Sequence, residues 1–365
     1  MSAPPVRHLY IHLPFCAHRC GFCDFVTVVG RREQHRAYAD ALLAELELER
    51  RVVAERLDTV FLGGGTPTFT DPAELFRLLD ALPPAEEVTV EANPETITPA
   101  LAGRLRAKGV TRVSLGVQSF TPRLLAVLER RAGPDDVRRA FYDLRDASFD
   151  NISLDLLYGI PGQSPADLEA DLGQALELGP EHLSCYELEA KPGTRFTHAH
   201  GEELARQAGE MEGYFEVVVD RLVAAGYRWY ETANFCRPGR EAGHNLAYWS
   251  GREYLGLGVG AVSTVGGLRW QNAPSLGRYI AALASGRKPP RVEEPLPAAV
   301  RQRERLMLGL RLDQGVPLAS VADAVDAAAL AHMEQLGLAE RRDDVLVLTK
   351  RGRFLGGGVT AELMA

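Results

Sequence analysis

The chain has 365 residues, 46% of them hydrophobic, and 41 basic against 49 acidic side chains give it a formal net charge of -8. That length and apolar content suffice for one large core and a smaller one, while the acidic balance gives no broad attraction to nucleic acid or an anionic membrane, so no nucleic-acid partner is expected. No run approaches the roughly 20 apolar residues of a membrane span, and five cysteines with no apolar secretory segment ahead of them are expected as free thiols of a reducing cytoplasm, available to a metal.

The first predicted strand, His8 to Leu13, runs into Cys16-Ala-His-Arg-Cys20-Gly-Phe-Cys23. Three thiols in one loop can serve a single metal centre. A 4Fe-4S cluster ordinarily takes four thiolates, so three ligands with no fourth in the loop leave one iron open to a non-protein ligand, and an open position goes with catalysis rather than structure. A structural zinc site is the plainer alternative. It would need His12 or His18 as a fourth ligand, and the common zinc knuckles pair two Cys-x2-Cys units where this chain has no second.

Further along, a helical run from Ala37 to Leu57 leads to short apolar runs at Thr59 to Leu62, Val88 to Glu91, Arg112 to Gly116, Ile152 to Leu156 and His182 to Glu187, with helical patterns between them. This alternation predicts parallel βα units and an α/β fold, a partial barrel of six strands rather than eight. In such barrels chemistry gathers where strands run into their following loops. The glycine turn Gly63-Gly64-Gly65-Thr66-Pro67-Thr68 lies at one such end. Three glycines expose backbone donors without side chains in the way, which suits a carboxylate, an ammonium or a ribose; a plain turn is the alternative, and without a phosphate-loop lysine a nucleoside triphosphate is not expected. Glu91, Gln118 and Asp155 break other apolar runs at strand ends. Buried carboxylates are costly unless paired, so these residues predict a polar ligand, the alternative being a simple ion pair with Arg130.

After about Pro192 the rhythm changes to a helical stretch, Glu203 to Ala225, then to a glycine-rich aromatic segment, Tyr227 to Trp270, and a proline-rich linker, Arg287 to Pro297. Beyond it, Ala298 to Leu312 and Leu318 to Leu336 are expected as amphipathic helices, followed by a hairpin-like strand at Asp344 to Thr349 and a final helix. Two helices and a wing suggest a winged-helix-like α+β module. Acidic Asp343 and Asp344 beside Arg341 and Arg342 break any basic stripe, so a structural or partner-contacting cap is expected rather than a DNA reader. The domain expectation is a barrel over residues 1–235, an extension over 236–290 and a C-terminal module over 291–365.

Taken in order, Tyr10-Ile-His-Leu-Pro-Phe-Cys16 with Cys20 and Cys23, Gly-Gly-Gly-Thr-Pro, Glu91-Ala-Asn-Pro, Gly-Val-Gln118-Ser-Phe and Asp155 to Gly162 resemble the radical S-adenosylmethionine proteins of the oxygen-independent coproporphyrinogen III oxidase family, from about residue 7 to about residue 352. The resemblance implies a partial six-stranded (β/α) radical SAM barrel, a 4Fe-4S cluster on Cys16, Cys20 and Cys23, and S-adenosyl-L-methionine (SAM) on the open iron. It places Tyr10, Phe22, Gly64, Gly65, Thr66, Glu91, Gln118, Arg130 and Asp155 around SAM. The oxidases of the family carry a further cysteine two positions after the third ligand and a longer segment ahead of the cluster; here Phe25 holds that position and fifteen residues precede Cys16. Both departures point to the heme-chaperone branch, which would bind heme as cargo for an apo-haemoprotein acceptor, without coproporphyrinogen oxidase activity and needing an electron donor only for radical chemistry. The oxidase and a radical methyltransferase are the alternatives. His244-Asn245-Leu-Ala-Tyr248-Trp249 matches that branch, and imidazole is a common axial ligand of heme iron, so His244 is the candidate heme ligand; a packed core histidine is the alternative. Cys236 lies near this motif, and Cys185 falls inside a predicted strand. The family's Leu-Gly-Arg-x-His reads Leu128-Glu129-Arg130-Arg131-Ala132 here, so the arginine is present and the histidine is not. A homodimer is left open, as is transient membrane association through the acceptor.

Overall fold

The computed structural model describes residues 4–191 and 194–364, so Pro192, where the sequence changes rhythm, lies outside the described residues. Six parallel strands form as expected, most of them longer than the apolar runs alone suggest: β1 (His8–Leu13), β2 (Leu57–Gly64), β3 (Ala85–Ala92), β4 (Arg112–Gln118), β5 (Ile152–Tyr158) and β6 (His182–Glu187). The sheet does not stop at six. β7 (Arg228–Glu231) and β8 (Asn234–Cys236) extend one edge antiparallel, and β9 (Leu255–Leu257) pairs parallel with β1 at the other, giving the order β9-β1-β2-β3-β4-β5-β6-β8-β7. These three strands come from the glycine-rich aromatic segment, where glycines and turns cut the hydrophobic alternation too short to stand out.

Three of the βα units open their helices the same way. Proline occupies the first turn after a cap in Asp71-Pro72, Thr98-Pro99 and Ser164-Pro165, and the cap side chains accept the backbone N–H groups of Ala73, Leu101 and Asp167. Proline's fixed φ and missing donor suit the start of a helix, where that donor would be orphaned anyway. The run from Ala37 was expected to stay helical to Leu57; the helix is His35–Leu48, and Leu57 already belongs to β2. A single 3-10 turn, Arg50–Val52, separates them.

Strand alternation splits the sheet into two unlike faces. Leu9, Ile11, Val60, Leu62, Val90, Val113, Leu115, Leu154, Leu156 and Leu183 join the main apolar core with the surrounding helices. The alternate residues are polar and buried on the inner face, among them His12, Thr59, Thr89, Arg112, Ser114, Ser153, His182 and Ser184. The helix Gly243–Trp249 closes the end where the strands begin. Glu87 of β3 accepts the N–H of Gly243 at 2.8 Å and of His244 at 3.0 Å, and the N–H of neighbouring Ala242 reaches Tyr230 of β7, at the far edge of the sheet, at 3.3 Å. One helix start can touch β3 and β7 together only because the sheet curls into a partial barrel.

The helical stretch expected at Glu203 to Ala225 consists of two helices, Arg195–Gln207 and Met211–Ala224. The proline-rich linker is not simply a linker, because its Arg291–Pro295 forms an edge strand beside Leu268–Asn272, itself paired with Val262–Val265. Proline fits such an edge, where a ladder donor is not required. The C-terminal module has its own apolar cluster around Leu306, Val321, Leu330, Leu346 and Leu363. Its first helix ends at Gly309; the expected second is a pair of 3-10 turns and the helix Ala327–Gln335, and the wing is the hairpin Ala339–Arg342 with Val345–Leu348. Among the described residues no helix is long and apolar enough to cross a membrane.

Candidate functional site

The cluster loop leaves β1 and is pinned to the rim by a short parallel pairing of Phe15–Cys16 with Val28–Val29. A tight turn brings the N–H of Cys23 to the carbonyl of Cys20 at 3.2 Å. Burial pushes the Cys16 thiol up to about 11 and raises that of Cys23, so both must lose a proton on binding iron. Among the described residues no three Cys, His, Asp or Glu side chains are drawn close enough to hold one metal ion. A four-iron cube takes each thiolate on a different iron, so it does not require the three sulfurs to meet around one ion.

A directed chain of hydrogen bonds ties two of the thiols together across the rim. Arg130 Nη2 donates to Asn93 Oδ1 at 2.9 Å, Asn93 Nδ2 donates to Thr66 Oγ1 at 3.0 Å, and Thr66 Oγ1 donates to Cys16 Sγ at 3.4 Å. The other arm of Arg130, Nη1, lies 3.6 Å from Cys20 Sγ. Every proton in the circuit points toward sulfur, the arrangement that favours thiolate over thiol. Arg130 also donates to the carbonyl of Gly116, while its Nε is buried without a partner. An orphaned guanidinium donor beside the thiols fits an incoming carboxylate.

The glycine turn has a specific steric cause. Gly64 sits at φ 108°, and a Cβ there would lie 2.4 Å from the His12 ring; one on Gly65 would lie 2.6 Å from the Pro14 backbone. Gly64 N–H donates to Glu91 Oε2 at 3.1 Å. Burial raises Glu91 to about 7, with the nearby Asp155 charge adding to the shift, and burial likewise raises Asp155, although the Arg112 charge and the serine hydroxyls pull it back. Ser114 Oγ reaches both Asp155 oxygens at 3.0 Å. Two buried carboxylates, both raised by burial, fit a cationic ligand, such as the ammonium and sulfonium of SAM. Tyr10 stacks on Phe61 at 6.2 Å and its hydroxyl meets His12 Nδ1 at 3.0 Å. Gln118 holds φ 71° where the β4–β5 register shifts, left-handed backbone strain for a non-glycine residue at a strand end. Phe22 packs edge-on against Phe196, 6.4 Å between centroids.

His244 does not belong to this rim. It lies at the opposite end of the barrel, 6% exposed, its ring stacked on Phe61 at 5.2 Å and its Nδ1 2.8 Å from Thr59 Oγ1. The same hydroxyl meets His8 Nδ1 at 3.0 Å. Burial drives His244 down to about 3, so the ring is neutral. Its Nε2 makes no hydrogen bond among the described residues. Cys185 and Cys236 are buried free thiols away from the cluster loop, and Ala132 is buried as well.

Sequence reasoning missed Asn93 and Arg112, and offered His12 only as a zinc ligand. Asn93 closes the thiol circuit, and its place before Pro94 at the end of a strand was the available signal. His12 packs against the glycine turn from β1, and its Nε2 bonds the Val26 carbonyl at 2.7 Å. Arg112 is 2% exposed, and its Nε has no partner. Its charge lowers Glu91 and Asp155 from below, and only its position at the start of an apolar strand hinted at this.

Three thiols after the first strand, a glycine turn after the second and carboxylates on the third and fifth define a radical SAM barrel. The Radical SAM superfamily model matches residues 10–175, and the HemN C-terminal domain model matches residues 296–355. Curated relatives named heme chaperone HemW include one from Mycobacterium tuberculosis, 40% identical over 98% of this chain and 94% of the relative, and one from Bacillus subtilis, 34% identical over 97% and 98%. A third, from Escherichia coli, is 37% identical over 72% of this chain and 70% of its own length. The chain belongs to the HemW family of radical SAM proteins. The solved structure of coproporphyrinogen III oxidase (HemN) from Escherichia coli shares the fold, with a TM-score of 0.81 at 23% identity over 99% of this chain and 90% of that one.

Proposed function

We propose that this protein is a heme chaperone, which binds heme and passes it to an apo-haemoprotein, and that it carries a 4Fe-4S cluster on Cys16, Cys20 and Cys23 with SAM beside it. One observation on the heme side carries the reading: His244 is a neutral imidazole whose Nδ1 is anchored by Thr59 and whose Nε2 is free of hydrogen bonds among the described residues. Anchoring one ring nitrogen to leave the other bare is how proteins prepare a histidine for a metal. The ring is 6% exposed, and the Glu87 clamp on the first turn of the helix Gly243–Trp249 holds it in place.

At the rim, Arg130 would take the methionine carboxylate of SAM through its orphaned Nε, while Glu91 and Asp155 hold its cationic and ribose groups and Gly64 and Gly65 leave room for its backbone-like end. Cys16, Cys20 and Cys23 would hold the cluster, which in its reduced form would offer one electron to the sulfonium of SAM bound beside it. Thr66 directs its proton at the sulfur of Cys16, and Asn93 holds Thr66 in that orientation by donating to its hydroxyl oxygen. Phe25, 62% exposed, stands where the oxidase branch has a further cysteine, and the curated relatives compared above are named as heme chaperones, so the oxidase reading is not favoured. The proposed setting is cytoplasmic, with any membrane contact made through the acceptor.

The test is a hemin titration of the anaerobically reconstituted protein. Wild type should develop a saturable Soret band, and His244→Ala should lose most of it while keeping its iron–sulfur absorbance. A variant that titrates like wild type would show that iron is held elsewhere.

A further inference from the structure

We infer that the cleft beneath the barrel floor, between the helix Gly243–Trp249 and the C-terminal module, docks the carboxylate-bearing edge of a tetrapyrrole on Arg252 and Arg305. The inference rests on the heme reading above and names where the porphyrin itself would lie. Two hollows of about 690 and about 510 Å3 share Ser250, Gly251, Arg252 and Arg305, so they form one continuous cleft. Each falls within the roughly 300–1,000 Å3 of small-molecule sites. Its apolar lining is Pro4, Pro5, Leu246 and the edges of the buried Val6 and Ala247 on the barrel side, with Pro317 and the edges of the buried Leu312 and Val316 on the C-terminal side. Leu246 and Ala247 belong to the same helix that carries His244, so the cleft and the candidate ligand share one helix.

The charges single out two arginines. Nearby guanidiniums are already engaged: Arg7 with Asp58, Arg228 with Asp313 at 2.7 Å, Arg269 with Glu304 at 2.6 Å and Arg311 with Glu231 at 2.7 Å. Arg252 and Arg305 line the cleft and, among the described residues, pair with no carboxylate within 4.0 Å. With Arg7 and Asp58 cancelling, Glu253 is the remaining acid on the cleft wall, and the balance is positive. An apolar wall with two unengaged guanidinium forks matches a ligand that is flat and apolar over most of its surface and bears two carboxylates on one edge, since guanidinium meets carboxylate in paired hydrogen bonds. Heme has that shape, and so does the metal-free porphyrin with its propionates unesterified.

The experiment compares hemin, protoporphyrin IX and protoporphyrin IX dimethyl ester as ligands of the reconstituted full chain and of the R252A/R305A variant, with Arg301→Ala, on the same helix as Arg305 and outside the cleft, as control. The double variant should bind hemin and protoporphyrin IX about tenfold more weakly, a difference of about 1.4 kcal/mol. The ester should bind wild type weakly and be unaffected by the substitutions. Unchanged iron–sulfur absorbance and urea midpoint would confirm that the variant is folded. A double variant that binds both free acids like wild type, or an ester that binds wild type as well as the free acid, would overturn the cleft assignment and leave the heme reading standing. Wild type that binds no hemin would remove that reading, and the cleft assignment with it.

Discussion

Replacing Thr59 by valine keeps the shape of a buried side chain, 4% exposed, and removes one hydroxyl on which two histidines depend. That hydroxyl can donate to only one of them. His8 Nε2 stands 4.0 Å from Asp58 Oδ2, which favours the proton on Nε2 and leaves His8 Nδ1 to accept from Thr59. The hydroxyl oxygen then accepts the Nδ1–H of His244, and the lone pair of His244 is on Nε2, where iron would bind. Leaving a buried polar group without its partner costs roughly 1–3 kcal/mol. His8 is partly open to water and falls at the low end, so the pair suggests a loss of about 2–4 kcal/mol for Thr59→Val, read as a lower urea midpoint. The same variant should weaken the Soret band, because His244 can then take the other tautomer. Thr59→Ser, which restores the hydroxyl, should recover the band. A valine variant with an unchanged midpoint and an unchanged hemin titration would refute the shared-hydroxyl account.

Acid should expose the cost of the buried histidine. The unfolded chain protonates His244 near its ordinary 6.5, whereas the folded chain holds it near 3, so the stability it contributes is present above 6.5 and is lost as pH falls toward 3, about 1.4 kcal/mol per unit or about 2 kcal/mol by pH 5. Urea midpoints measured between pH 7 and 5 should fall less steeply for His244→Asn; equal slopes would contradict the burial argument. Glu91 runs the other way: with its folded value raised to about 7 from an ordinary 4.5, the ligand-free fold loses stability as pH rises through that interval. Glu91→Gln should therefore resist urea better than wild type at pH 8, by roughly 1–3 kcal/mol, yet retain less SAM in equilibrium dialysis; a variant that retains SAM normally would place the ligand elsewhere. Cys20→Ala should abolish the brown chromophore of the reconstituted protein, since two thiolates hold a cube poorly, and unchanged iron content would end the cluster assignment.

The parallel strands were legible because their outward residues, such as Val113, Leu115, Leu154 and Leu156, form apolar runs that alternate with helical patterns. Cys16, Cys20 and Cys23 were legible as one loop, and Gly64 as a turn. The sequence could not show that Asn93 joins Thr66 to Arg130, because that circuit depends on three strand ends meeting at one rim. Nor could it show His244 at the far end of the barrel from the cluster, since His244 and Thr59 are 185 residues apart and only the curl of the sheet brings them together. The edge strand Arg291–Pro295 was masked by Pro295 and by the prolines that flank it, which read as a linker when the neighbouring strand is out of view.

The most direct test of the heme-carrier account is to assay one anaerobically reconstituted preparation for hemin binding and for conversion of coproporphyrinogen III in the presence of SAM and a reductant. The account predicts saturable, His244-dependent hemin binding and no decarboxylated product. Porphyrinogen turnover without hemin retention would contradict it.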